Sequence, residues 1–199
     1  MAELKFKYGT MASGKSLHLL ATAHQLKING IQYQLLKSAV DTRDNGVISS
    51  RIGVEEPCIT INNDDNICLR IASIYTSDIK WLLVDEAQFL TANQVDELAY
   101  IVDNYNINVI CYGLRTDYLT HLFEGSKRLF EIADSFEELP SYCECGNKNA
   151  VNARITEAGE IEFQDGNQIE VGGDTRYKSI CRHCFNQELI KSLQSAEEV

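Results

Sequence analysis

The stretch YGTMASGKS, Tyr8 to Ser16, constrains this chain more than any other. Its spacing, Gly9, four residues, then Gly14-Lys15-Ser16, is the glycine-rich phosphate-loop pattern. Gly9 and Gly14 let the backbone turn, so that the loop amides of Thr10, Met11, Ala12 and Ser13 can face anionic oxygens. Lys15 is placed to reach the β- and γ-phosphates, and the Ser16 hydroxyl to ligate Mg²⁺. Such a loop needs a strand before it and a helix after it, because the helix N-terminus contributes its dipole to the phosphate site. The run LKFK supplies the strand pattern, and a helical pattern follows from residue 14. Nucleotide binding on an α/β sheet is the reading this stretch supports.

The rest of the chain agrees with that fold class. Residues 3–8 predict a strand and 14–29 a helix, closed by Asn29-Gly30. YQLLKSAV (33–40) predicts a second strand, and the polar segment 41–53 is too long for a simple connection. A short strand at 57–61 and a short helix at 66–76 follow. WLLVDEAQF (81–89) has the pattern of a buried strand that ends in two acids. Thr91 and Gln94 have capping-box spacing, with Val95, Leu98, Ala99 and Val102 at helical period behind them. A buried strand at 107–113 and a helix at 124–134 complete the series. Alternation of this kind predicts a parallel sheet with crossover helices.

After Pro140 the pattern changes to short alternating runs broken by Ala-Gly, Asp-Gly and Gly-Gly, which predict small antiparallel strands. We therefore expect a nucleotide-binding domain over 1–140, a small domain over 141–190 and a tail over 191–199. A core as small as the second one needs a staple. Of seven cysteines, Cys58, Cys68 and Cys111 stand singly in apolar surroundings and read as core. Cys143, Cys145, Cys181 and Cys184 fall in two close pairs, a ligand set that suits a structural Zn²⁺, with free thiols as the alternative. An extended C-x-C pair would hold its side chains about 6–7 Å apart, whereas sulfurs on one tetrahedral zinc lie about 3.8 Å apart. The chain must therefore turn at 143–145, where Gly146 can help.

The other chemical signal is Asp85-Glu86 at the end of a buried strand. Ligands of open α/β sheets bind outside the carboxyl ends of the strands. There Asp85 is placed to serve Mg²⁺ beside Ser16, and Glu86 to accept a proton from a hydroxyl or water. Phe89, Tyr118 and Tyr177 could stack on a flat base, while Gly172-Gly173 implies a tight loop or a close backbone approach; spacing alone does not choose between these readings. A formal net charge of −11 argues against a broad nucleic-acid-binding surface. No apolar run approaches the length of a membrane span, and the first residues lack a signal-peptide pattern, so a cytoplasmic location is expected. The competing function is a P-loop ATPase with a zinc-ribbon nucleic-acid module, which the acids interleaved among Lys148, Arg154, Arg176, Lys178 and Arg182 disfavour.

GTMASGKS, DTRDNG with SSRIG, LLVDEAQFL, YGLRTDYL, the paired cysteines and EVGGDTRYKSICRHC together resemble the thymidine kinases of the cytosolic, zinc-containing type, over nearly the whole chain. The resemblance implies transfer of the γ-phosphoryl of ATP to the 5′-hydroxyl of thymidine, with Mg²⁺ and a structural Zn²⁺ on Cys143, Cys145, Cys181 and Cys184. It implies Glu86 as the catalytic base, with Lys15 and Arg43 acting on the phosphates and Asp85, Glu86, Ala87 and Gln88 as a further ATP- and phosphate-binding segment. Around the nucleoside it implies Met11, Phe89, Leu114, Tyr118 and Phe123. It also implies a lasso-like loop in which Glu170, Val171, Gly172 and Tyr177 close over the base. A homotetramer is implied as well. The chain departs from the family pattern at Thr10 and Ala12, where Pro and Phe are frequent, at Tyr118, where some members have Phe, and in its C-x-C pair.

Overall fold

The computed structural model describes residues 1–41, 46–74, 78–156, 159–163 and 176–197. Its centre is a six-stranded sheet, every pairing parallel, in the order β5-β2-β6-β7-β1-β8. The strands are β1 (Leu4–Gly9), β2 (Gln32–Ser38), β5 (Ile59–Ile61), β6 (Ile79–Asp85), β7 (Asn108–Leu114) and β8 (Ser135–Glu138). Between them run α1 (Lys15–Ile28), α2 (Ile67–Ile74), α3 (Ala92–Tyr105) and α4 (Glu124–Ile132). The central strands are apolar on both faces because helices cover both. One core, around Phe6, Leu82, Val84 and Val109, receives α2, α3 and α4; the other, around Leu35, Leu83 and Tyr112, receives α1. Each fully buried Leu, Val or Phe contributes about 1.5–3 kcal/mol of transfer free energy.

Several boundaries differ from the sequence expectation for local reasons. The strand expected over 81–89 ends at Asp85, because Glu86 adopts left-handed backbone (φ 52°) and Ala87–Phe89 form a 3-10 turn. The second strand stops at Ser38 rather than at residue 40, and the fourth helix at Ile132 rather than at 134. Leu4 N–H donates to the Asp134 carboxylate at 2.7 Å, and the chain then adds β8 as an edge strand that no pattern had announced. The polar segment after β2 carries part of a small antiparallel pair, β3 (Val47–Ser49) with β4 (Glu55–Pro57). The expected capping box at Thr91 and Gln94 is formed in both directions, each bond 3.2 Å.

Beyond Pro140, β9 (Val151–Arg154) and β10 (Tyr177–Ile180) pair antiparallel, as expected. An unexpected helix, α5 (Arg182–Glu197), follows and runs on past residue 190. Arg43 and the loop residues Glu170, Val171 and Gly172 lie outside the described residues. Among the described residues no helix is long and apolar enough to cross a membrane.

Candidate active site

The phosphate loop leaves β1 at Gly9 and enters α1 at Lys15. A Cβ on Gly9 would lie 2.4 Å from Ser13 Oγ and 2.6 Å from the Leu139 carbonyl oxygen, so the loop closes only over a glycine. Gly14 sits at φ 77°, the left-handed region that glycine enters without steric cost. Ala12 also has positive φ, 60°, a conformation costing of order 1 kcal/mol or more for a residue with a Cβ. The Lys15 ammonium reaches back across the loop and donates to the Thr10 carbonyl at 2.8 Å.

Because all six strands are parallel, their carboxyl ends share one edge of the sheet, and β6 delivers Asp85 to it beside the loop. Ser16 Oγ donates to Asp85 Oδ2 at 2.9 Å, joining the two expected Mg²⁺ residues directly. Asp85 is 3% exposed. Burial first, and the neighbouring Glu86 second, push its carboxyl up to about 7, against the Ser16 hydroxyl and Lys15. A hydroxyl and a carboxylate oxygen adjacent at a strand end form a hard-oxygen donor set that fits Mg²⁺, whose charge would favour the ionised carboxylate.

Glu86 is held by its own segment. Gln88, 1% exposed, donates from Nε2 to Glu86 Oε2 at 2.5 Å and accepts the Leu114 N–H on Oε1 at 2.9 Å. The amide thus ties the carboxylate to the end of β7. Gly113 makes room for it: a Cβ there would come within 2.9 Å of Gln88 Oε1. Below, Gly125 at the start of α4 lets the helix approach so closely that a Cβ would lie 2.4 Å from the Ala87 carbonyl oxygen.

The expected aromatic residues form two separate contacts. Phe89 and Phe123 meet edge to face, centroids 5.7 Å apart. Tyr118 is buried, with the Arg154 guanidinium 3.8 Å over its ring, a cation–π contact. Arg154 is ion-paired to Glu162 at 2.8 Å and lies opposite Tyr177 across the β9–β10 ladder, so it connects the two tyrosines expected near the base. Sequence reasoning had not singled out Arg154 for this part, and no local pattern marks it; its place depends on strand register.

The four paired cysteines converge, with their sulfurs all within 4.8 Å of one another and Cys145 and Cys181 3.6 Å apart. The turn expected at the C-x-C pair is present: Gly146 N–H donates to the Cys143 carbonyl at 2.8 Å, and Gly146 has φ 86°. Cys181 precedes α5, and the Cys184 N–H points at its sulfur at 3.4 Å. Backbone N–H groups pull the Cys143 thiol down to about 6, while the crowded neighbouring sulfurs push Cys184 up to about 12. A divalent cation among the sulfurs removes that conflict, so the donor set fits Zn²⁺. Val151, Ala153 and Ile180 pack behind the cluster. Of the three single cysteines, Cys111 is fully buried and Cys58 and Cys68 partly so, as core residues are.

The family model for thymidine kinase matches residues 2–185. A thymidine kinase of Zymomonas mobilis is 43% identical over 191 residues, which cover 95% of this chain and 98% of that protein. A thymidine kinase of Enterobacteria phage T4 is 45% identical over 199 residues, covering 97% and 100%. One of Rhodopirellula baltica is 39% identical, covering 96% and 91%. With the loop and the acidic pair at one edge of a parallel sheet, the cysteine cluster on the adjoining hairpin, and relatives of this identity matched over nearly their whole length, the chain belongs to the thymidine kinase family.

Proposed function

We propose that this nucleoside kinase transfers the γ-phosphoryl group of Mg-ATP to the 5′-hydroxyl of thymidine, with Glu86 as general base. The observation that carries the assignment of the base is the Glu86–Gln88–Leu114 hydrogen-bond chain, which fixes a carboxylate beside the Asp85–Ser16 pair. The loop amides and Lys15 bind the triphosphate, and Arg43 adds a cation near it. Ser16 and Asp85 would hold Mg²⁺, which would supply positive charge at the β- and γ-phosphates. Glu86 takes the proton of the 5′-hydroxyl as the new O–P bond forms; the bond from the γ-phosphorus to the bridging oxygen breaks and ADP leaves. Phosphoryl transfer depends on position and charge, so most of the rate comes from holding the two substrates in line.

Phe89, Phe123, Tyr118 and Tyr177 receive the thymine ring, and Glu170, Val171 and Gly172 contribute to the same subsite. Zinc on the four cysteines is structural. The enzyme works in the cytoplasm as a homotetramer, as the family resemblance implies, and without a nucleic-acid partner, which its net charge of −11 supports. Glu86→Gln should lower kcat by about 10²–10⁴-fold while equilibrium binding of a non-hydrolysable ATP analogue stays close to that of the parent. Parent-like turnover in that variant would remove Glu86 from the role of base.

A further inference from the structure

The tip of the phosphate loop is held from outside, by residues that neither the motif nor the chemistry of transfer uses. Met11 N–H donates to Asn152 Oδ1 at 2.7 Å, and the Met11 carbonyl accepts from Ser179 Oγ at 2.8 Å. Asn152 and Ser179 are directly paired across the β9–β10 ladder, so both project from one face of that hairpin. The two side chains also approach each other, Ser179 Oγ to Asn152 Oδ1 at 3.4 Å. Asn152 is 4% exposed, and its amide nitrogen reaches the Thr116 carbonyl beyond β7 at 3.5 Å. Beside this clamp Thr10 Oγ1 and Ser141 Oγ lie 2.7 Å apart. Ser179 is two residues before Cys181, so the cysteine cluster lies at the end of the strand that carries it.

The loop needs such a hold. Met11 lies between Thr10 and Ala12, and Ala12 is in left-handed backbone that the loop must keep while its amides face the phosphates. Met11 has both its N–H and its C=O satisfied by the hairpin. Releasing them lets the strained turn relax away from the conformation that presents its amides to the phosphates.

We propose that Asn152 and Ser179 are positioning residues for the phosphate loop, through which the cysteine-stapled hairpin sets the affinity for nucleotide. This rests on the ATP-binding reading above. The test measures the equilibrium affinity of the full-length, zinc-loaded chain for β,γ-imido-ATP with Mg²⁺, in the parent, Asn152→Ala, Ser179→Ala and Asn152→Asp. No acceptor is needed, so failure of thymidine phosphorylation in the parent would refute the acceptor without touching this result. Each alanine variant should bind about 3- to 10-fold more weakly, with zinc content and thermal midpoint near those of the parent. Asn152→Asp keeps an oxygen for the Met11 N–H but adds negative charge beside the phosphate loop, so it too should bind more weakly, and parent-like affinity there would also overturn the proposal. Should Asn152→Ala fail to fold, Ser179→Ala decides alone, since it deletes one hydroxyl. Parent-like affinity in the alanine variants that fold, or a loss that appears only together with lost zinc, would overturn the proposal.

Discussion

At the scale of single residues, the site rests on side chains whose freedom has been removed by neighbours. Gln88 is the clearest case. It is buried and uses both ends of its amide, one on Glu86 and the other on the Leu114 N–H. Truncating it to alanine leaves Glu86 chemically intact but loose, and leaves a backbone N–H without its partner. Misplacement on the scale of 1 Å costs about 10²-fold in rate, so Gln88→Ala should lower kcat by about that factor while the affinity for an ATP analogue changes little. Steady-state kinetics beside equilibrium nucleotide binding check this; equal losses in both would mean that Gln88 supports the fold rather than the base. The motif residues themselves, Lys15, Ser16, Asp85 and Glu86, were legible in the sequence because phosphate loops and strand-end acids have local spacings. Asn152, Ser179 and Arg154 were not, since their parts are set by pairing between strands and by contact with a distant loop.

At the scale of elements, close approach is what brings the acidic segment and the helices together. Gly125 shows how magnitudes decide the sign of a change. In an exposed helix Gly→Ala stabilises by about 0.8–1 kcal/mol. Here the added Cβ would lie 2.4 Å from the Ala87 carbonyl oxygen and 2.7 Å from that of Leu90, both backbone atoms that cannot step aside alone. Overpacking of this kind costs about 1–3 kcal/mol, so Gly125→Ala should be destabilised on balance and should displace the turn that carries Glu86 and Gln88. Denaturant unfolding measures it, and a stabilised variant would contradict the packing described. The phosphate-loop context and the Asn29-Gly30 cap marked α1, helical period and the capping box marked α3, and continuous apolar runs marked β6 and β7 in advance. The edge strand β8 was missed because SFEE has no apolar alternation; it pairs with β1, and Lys7 of β1 reaches Glu137 at 2.9 Å. The helix α5 was missed because its residues are mostly exposed and carry little periodic apolar signal.

At the scale of the whole molecule, two structures of different kinds meet at one loop. The parallel sheet is stabilised by its own cores on both faces, whereas the hairpin beyond Pro140 buries little and leans on the cysteine cluster. Cys181→Ser removes one of the four clustered sulfurs that fit Zn²⁺. It should release zinc and lower the thermal midpoint, read by metal content and thermal unfolding side by side; full zinc retention would contradict the assigned ligand set. Family membership, the sheet topology and the site converge on one reaction, which a single assay addresses. The protein is incubated with Mg-ATP and, in separate reactions, thymidine, deoxycytidine, deoxyadenosine and deoxyguanosine, and the nucleoside monophosphate formed is measured. Strong product with thymidine and little with the other three is the predicted result. No monophosphate from any nucleoside, with ATP hydrolysis still measurable, would contradict the account.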